Sequence, residues 1–150
     1  MNTIFDDATR GEFIGRINAL TNNHTALWGK MSVYQMAKHC VIWNNWILGR
    51  EQSVYRQGLL GRIFGKMALK GLVENEKPMK RNMPAGRYFF TREKDGDLAL
   101  QKRIWVEQVA EYAHFSNPDF IHDFFGRMTT DEIGILVYKH TDHHLRQFNV

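Results

Sequence analysis

Residues 129–148 read TTDEIGILVYKHTDHHLRQF, with apolar side chains at intervals of three and four, the period of an α-helix. Thr129, or alternatively Thr130, stands in the N-cap position, and Glu132 completes a capping-box pattern. On a helical wheel, one arc collects the apolar side chains of Ile133, Leu136, Val137 and Phe148. The stretch therefore predicts a long amphipathic helix with one buried face.

Two histidines lie at the centre of that apolar arc. With Ile133 at zero, His140 falls at about 340° and His144 at about 20°. His143 falls at about 280°, on the side shared with Lys139 and Arg146. Two imidazoles four residues apart on one helical face can bind the same metal ion. The H-x-x-x-H pair thus predicts half of a metal site.

A third histidine points inward from a second predicted helix. Ser32 and Gln35 form a capping-box pattern, and the helix extends from there to about Gly49. On its wheel His39 lies between Trp43 and Trp46. Buried imidazoles lower stability unless their nitrogens are bonded, and a metal would bond all three. We therefore predict a metal site formed by His39, His140 and His144, with hydrogen-bonded core histidines as the simpler alternative.

Besides these three and His143, the sequence has three further histidines, which are expected to be surface or capping residues: His24, His114 and His122.

The remaining segments also favour helices. A first helix follows a cap at Asp6, Asp7 or Thr9 and is expected to bury Phe13, Ile14, Ile17 and Leu20. A fourth follows Asp97, with a stripe of Leu98, Gln101, Trp105, Val109 and Tyr112. A third is predicted over 55–71, with a solvated row of Arg62, Lys66 and Lys70. Its predicted buried residues are Leu59, Leu60, Ile63, Phe64 and Met67.

Two stretches carry no helical pattern. Residues 74–96 are rich in Lys, Arg and Gly and are predicted to form a long irregular loop, with a short extended piece at 87–91. Residues 118–127 are predicted to form a turn. The whole pattern predicts an all-α fold, an antiparallel four-helix bundle with a long irregular loop and a short extra helix. The 150 residues fit one domain spanning 1–150.

Composition limits the class of protein. Cys40 is the single cysteine, so no intramolecular disulfide can form. No apolar run is long enough to span a bilayer, and an acidic pair stands near the start, so we expect a cytoplasmic protein without a membrane partner. The net charge of +4 is concentrated in a segment of net charge +6 between Arg62 and Arg103. No nucleic-acid motif accompanies it, and solvent or small anions are its expected partners rather than nucleic acid.

Three motifs resemble the DinB/YfiT-like superfamily and, more closely, one bacterial branch of it described only as a domain of unknown function. They are WGKM at 28–31, QMAKHC at 35–40 and YKHTDHHLRQF at 138–148. The resemblance implies a four-helix bundle whose metal is held by one histidine of the second helix and an H-x-x-x-H pair of the last. Those positions correspond to His39, His140 and His144.

Relatives in that superfamily include thiol-dependent S-transferases, isomerases that use low-molecular-weight thiols, and iron-dependent sulfoxide synthases. The last group carries H-x-x-x-H-x-E, whereas Arg146 stands at the position of the glutamate here. The resemblance therefore favours the thiol-dependent enzymes over the sulfoxide synthases.

We accordingly expect a metal-dependent enzyme that activates a low-molecular-weight thiol or water, in the manner of an S-transferase or a hydrolase. Zinc is the first choice of divalent metal, with nickel or iron as alternatives. Gln35, Tyr138 and Gln147 are candidates to orient the bound group, and no catalytic residue is assigned. The alternative is a non-catalytic metal- or ligand-binding bundle protein of a stress response, and a homodimer stays open in either case.

Overall fold

The computed structural model describes residues 1–50, 55–83 and 89–150, and this part of the chain is mostly helical. Its helices are α1 (Asp7–Ala19), α2 (Val33–Ile47), α3 (Leu59–Val73), α4 (Leu98–Glu111) and α5 (Thr130–Gln147). A short 3-10 helix, Tyr112–His114, continues α4. The prediction of a mainly helical protein is confirmed. None of the described helices has the length and apolar character needed to cross a membrane.

The two helices that carry the site histidines begin at the predicted caps. The Ser32 side chain accepts a hydrogen bond from the Gln35 backbone, and the Gln35 side chain accepts one from the Ser32 backbone, which closes a capping box at the start of α2. Thr129 and Glu132 form the same pair of bonds at the start of α5. Each box satisfies backbone N–H groups that would otherwise lack partners. The helical register of the histidines is therefore fixed by local sequence.

The core is formed by the apolar faces predicted for the first, second, fourth and last helices. α2 packs on α4, and α1 contacts both α4 and α5. Phe13 and Ile17 from α1 and Trp105 and Val109 from α4 are completely buried. Gln108, whose burial we did not predict, donates from its side chain to the carbonyl oxygen of Val41 and so ties α4 to α2.

The prediction for α3 is wrong about which face is buried. Its large apolar residues are exposed, with exposed fractions from 48% to 75%: Leu59, Leu60, Ile63, Phe64 and Met67. The buried positions are Gly61, Gly65 and Leu69. The glycines let the helix lie directly on the backbone of Phe124, since a Cβ at Gly65 would stand 2.1 Å from its carbonyl oxygen. Close packing of the α3 backbone on Phe124, and not the burial of large apolar side chains, therefore determines which side of the helix faces the protein.

The turn predicted at 118–127 contains a small hairpin instead. Strand β1 (Ile121–His122) pairs antiparallel with β2 (Gly126–Arg127), and Gly126, the first residue of β2, adopts a positive φ of 76°. The Nδ1 atom of His122 accepts hydrogen bonds from the backbone N–H groups of Phe124 and Phe125. His122 is therefore a capping residue of this hairpin, as the sequence suggested.

Residues 74–96 are irregular wherever they are described. The predicted extended piece at 87–91 falls partly on Arg87 and Tyr88, which lie outside the described residues. Over 89–91 no strand is assigned. The start of the stretch is tied to α5 by Lys139, which is buried although its wheel position lies beside that of the exposed Arg146. The Lys139 Nζ atom donates to carbonyl oxygens of Leu72, Asn75 and Lys77 within 3.1 Å.

The close packing of α3 on the hairpin makes a testable prediction. Gly65→Ala places a methyl group against Phe124 and is expected to lower the free energy of unfolding by about 2 kcal/mol. Gly71→Ala is the matched control, because its Cβ would meet no described atom within 4 Å. The control should gain about 0.5–1 kcal/mol from helix propensity. Urea unfolding followed by circular dichroism measures both, and equal stability of the two variants would contradict the close approach.

Candidate metal centre

Three imidazoles converge between α2 and α5. His39 comes from α2, and His140 and His144 come from successive turns of α5. One nitrogen from each ring can be chosen so that all three lie within 4.8 Å of one another. All three residues are buried, with exposed fractions of 8% or less. The structure thus brings together the three residues that the sequence singled out as metal ligands.

His39 is oriented by a backbone carbonyl. Its Nδ1 atom lies 2.7 Å from the carbonyl oxygen of Phe89, in the segment that precedes α4. A carbonyl oxygen only accepts hydrogen bonds, so Nδ1 must carry the proton. The lone pair of the neutral ring is therefore on Nε2, which faces the other two histidines. Such a bond is the usual arrangement behind a metal-bound histidine.

His144 is oriented by a relay of two hydrogen bonds. Its Nδ1 atom lies 2.9 Å from Oε1 of Gln147, and Nε2 of Gln147 donates to the carbonyl oxygen of Trp28 at 2.8 Å. Because the carbonyl oxygen of Trp28 can only accept a hydrogen bond, the Gln147 atom that faces it must be the amide nitrogen. The amide oxygen therefore faces His144 and accepts a hydrogen bond from its Nδ1–H group. The relay leaves the Nε2 lone pair of His144 free for a ligand role.

His140 is held by packing rather than by a hydrogen bond to its outer nitrogen. Its ring stacks on Trp43, with centroids 4.0 Å apart and planes at 21°. Its Nδ1 atom is buried and has no hydrogen-bond partner among the described residues. Its Nε2 atom lies 3.2 Å from Nε2 of His39.

The separation of those two Nε2 atoms suits a shared cation. Without a cation, the His39 lone pair must be met by an N–H on Nε2 of His140, which would leave a bare acceptor at the buried Nδ1. With a cation, both Nε2 lone pairs are satisfied and the proton of His140 lies on Nδ1, which has no partner among the described residues in either case. Two nitrogens bound to one tetrahedral zinc ion at about 2.0–2.1 Å stand about 3.3 Å apart, close to the observed distance. The three imidazole donors, which lie within 4.8 Å of one another, and the separation of this pair therefore fit a divalent metal.

Burial keeps these rings neutral. It lowers the pKa of His144 from its ordinary value to about 3, with the neighbouring His39 as a second cause. Burial also lowers the pKa of His39, and it lowers that of His140 well below the ordinary value. Neutral imidazole is the form that binds metal, so the lone pairs are available at neutral pH.

Within the described residues, the metal-ligand cluster holds three histidines and no carboxylate or thiolate. The thiol of Cys40, next in sequence to His39, is buried against the sulfur of Met36 instead. Three protein ligands leave at least one coordination position of a divalent ion for water or substrate. This is the ligand count of catalytic sites, since closed structural zinc sites use four.

The other histidines lie elsewhere. The ring of His143 is half-buried beside Trp28, with centroids 5.5 Å apart. Nδ1 of His24 accepts a hydrogen bond from the backbone of Thr21, which makes it a capping residue. His114 is exposed at the end of the short 3-10 helix. The helical wheel thus separated His144 from the adjacent His143.

Of the three residues expected to orient the bound group, Gln147 contacts the triad. The side chain of Gln35 forms the capping box and donates to the carbonyl oxygen of Thr91 at 3.2 Å. The ring of Tyr138 stacks on Phe13, and its hydroxyl accepts from Asn2. The described contacts of Gln35 and Tyr138 are therefore with the surrounding fold.

Two supports of the site carry no sequence signal. The carbonyl groups of Phe89 and Trp28 orient His39 and His144, but every residue carries the same carbonyl. Their positions depend on how the segments before α2 and α4 pass the site: Phe89 lies beside the middle of α2 and Trp28 beside the end of α5. Sequence patterns do not encode such contacts.

No protein-family model, curated protein or solved structure matches this chain at a significant level. The candidate site therefore stands on the geometry of its own residues.

The Gln147 relay predicts an effect on metal affinity. Gln147→Leu keeps the side-chain volume but removes the acceptor for Nδ1 of His144, and the affinity for Zn²⁺ should fall about 10–100-fold. Gln101→Leu on α4 is the matched control and should leave the affinity unchanged. Competition with a chromophoric chelator measures both. Unchanged affinity in Gln147→Leu would show that the relay does not position His144.

Proposed function

We propose that this chain is a metal-binding helical bundle protein of the DinB/YfiT-like kind and that its site is catalytic. The convergence of three buried, neutral imidazoles with no fourth protein ligand in the described cluster carries the proposal. The motifs around the triad and the order of the helices agree with that superfamily. His39, His140 and His144 are the proposed metal ligands.

The proposed architecture is an antiparallel four-helix bundle of α1, α2, α4 and α5. α4 contacts α1 and α2, and α1 contacts α5. The imidazoles join α5 to α2, because His39 lies against both His140 and His144. Each of the four helices thereby has two neighbours, which is the arrangement of such a bundle. In this architecture α3 and the irregular segment after it are additions beside the metal site.

The proposed reaction is the activation of a low-molecular-weight thiol or of water for attack on an electrophile. A divalent ion bound by the triad supplies a Lewis acid that lowers the pKa of the thiol or water at its open position. The Gln147 relay and the Phe89 carbonyl hold the ligand rings, while Trp43 keeps His140 facing the same point. Zinc is the first choice of metal, and nickel or iron fits the same nitrogen donors.

A cation near the candidate site, linked to the triad through Trp28 and His143, favours a substrate that carries an anionic group. The guanidinium of Arg81 lies 4.4 Å from the ring centre of Trp28, and Trp28 contacts His143 next to the site. Arg81 belongs to the basic segment between Arg62 and Arg103. A substrate carboxylate can form a charge-assisted, bidentate hydrogen bond with such a group. A thiol with a carboxylate is therefore the proposed substrate class.

Elemental analysis of the purified protein tests the ligand assignment. One divalent ion per chain is expected, and His39→Ala, His140→Ala and His144→Ala should each lose most of it. His143→Ala is the matched control and should retain the ion, because its ring lies outside the triad. An empty site in His143→Ala together with a full site in His144→Ala would overturn the assignment.

Turnover measurements separate the catalytic proposal from the non-catalytic alternative. The zinc-loaded protein should accelerate the reaction of a carboxylate-bearing thiol with a chromogenic electrophile, or the hydrolysis of a chromogenic ester. Chelator or His144→Ala should abolish the acceleration. If the metal raises thermal stability while no thiol or ester turns over, the protein is a non-catalytic metal-binding bundle.

A further inference from the structure

The exposed side of α3 is apolar along its length. Its five large side chains are directed away from the hairpin that the helix packs on: Leu59, Leu60, Ile63, Phe64 and Met67. On a helical wheel with Leu59 at zero they cover an arc of about 140°. We call this surface the α3 apolar face. Soluble proteins rarely expose so many contiguous large apolar side chains without a partner.

Cations lie along the α3 apolar face, and the exposed carboxylate of Glu74, at the C-cap of α3, pairs with Lys70. On the same wheel Arg62 and Lys66 fall at about 300° and 340°, outside one edge of the apolar arc, and Lys70 at about 20° lies just inside that edge. The fifteen residues of α3 contain no aspartate or glutamate. Long basic side chains at such an edge can hold their charges in a polar layer while their methylene groups follow the apolar residues.

Contacts on the opposite side of α3 keep the α3 apolar face exposed to solvent. Gly61 and Gly65 seat the opposite side of α3 on the backbone of Phe124. Lys66 donates to the carbonyl oxygen of Arg127 in β2, and Lys139 holds carbonyls at the end of the helix. Rotating α3 to bury its apolar residues would break these bonds and drive side chains into the hairpin. The exposure of the face is therefore built into the packing.

We propose that the α3 apolar face binds the surface of an anionic lipid bilayer. An amphipathic helix with large apolar residues on one side and Lys and Arg beside them lies in the plane of such a surface. At 1.5 Å per residue α3 offers about 22 Å of contact, with its apolar side chains in the headgroup boundary and Arg62 and Lys70 at the lipid phosphates, while Lys66 stays bonded to β2. This binding is peripheral, because no described helix can span a bilayer.

Charge distinguishes a lipid surface from other occupants. A second copy of the chain paired through the same face would bring two rows of cations together, and the carboxylate at the end of each α3, Glu74, already pairs with Lys70 of its own helix. Nucleic acid would use the cations but would leave Ile63, Phe64 and Met67 exposed to water. Anionic lipid provides both an apolar layer and negative charge. From the sequence we expected no membrane partner, because no apolar run is long enough to span a bilayer. A peripheral contact through α3 needs no such run.

Co-sedimentation with vesicles tests the proposal on the full chain. The protein should bind vesicles of phosphatidylcholine with about 30% phosphatidylserine and should bind pure phosphatidylcholine vesicles much more weakly. Ile63→Ser with Met67→Ser should weaken binding at least tenfold, because each side chain contributes apolar burial. Arg62→Gln with Lys70→Gln should weaken it about 25-fold, at about fivefold for each cation.

Matched controls change similar exposed side chains elsewhere. Leu27→Ser with Leu100→Ser removes two exposed leucines, and Arg92→Gln with Arg103→Gln removes two exposed cations. Both control pairs should bind the anionic vesicles as the wild type does, and circular dichroism verifies that every variant is folded. No binding of the folded wild type to anionic vesicles would overturn the proposal. A wild-type dimer that Ile63→Ser with Met67→Ser dissociates, without vesicle binding, would assign the face to a second copy instead.

Discussion

The structure depends on three neutral imidazoles held close together in a region that excludes water. Their burial lowers every pKa in the group, so the rings stay uncharged and their lone pairs must be met by a donor or a cation. The Nε2 atoms of His39 and His140 face each other at 3.2 Å. Much of the surrounding structure serves this arrangement, since a carbonyl, an amide relay and a stacked indole fix the three rings. A divalent ion is the group that best satisfies all three at once.

The site is assembled from long helices, while its supports come from irregular segments. The three histidines occupy α2 and α5, whose N-terminal ends are fixed by capping boxes. The orienting carbonyls come from Trp28 and Phe89, outside any α-helix. Lys139, next to a ligand in sequence, ties the segment after α3 to α5. The helix α5 therefore carries two of the three histidines and also holds the segment that follows α3.

Two features of the structure that the order of apolar and polar residues does not indicate have a common physical origin. α3 packs on the hairpin through Gly61 and Gly65, and Lys139 is buried because carbonyl oxygens surround its ammonium group. Periodicity assigns apolar residues to the core and lysines to water. Close backbone contact and carbonyl capping reverse both assignments, and neither is visible in the order of apolar and polar residues. The exposed α3 apolar face follows from that reversal.

The sequence by itself determined the helical class, the caps of α2 and α5 and the three inward histidines, because local hydrogen bonds and the 3.6-residue period act within one helix. It also distinguished His144 from His143 by phase alone. Only the tertiary structure decided which side of α3 is exposed, where Lys139 lies and which carbonyls orient His39 and His144. Those features join residues far apart in the chain, and the backbone groups that form them are the same in every amino acid.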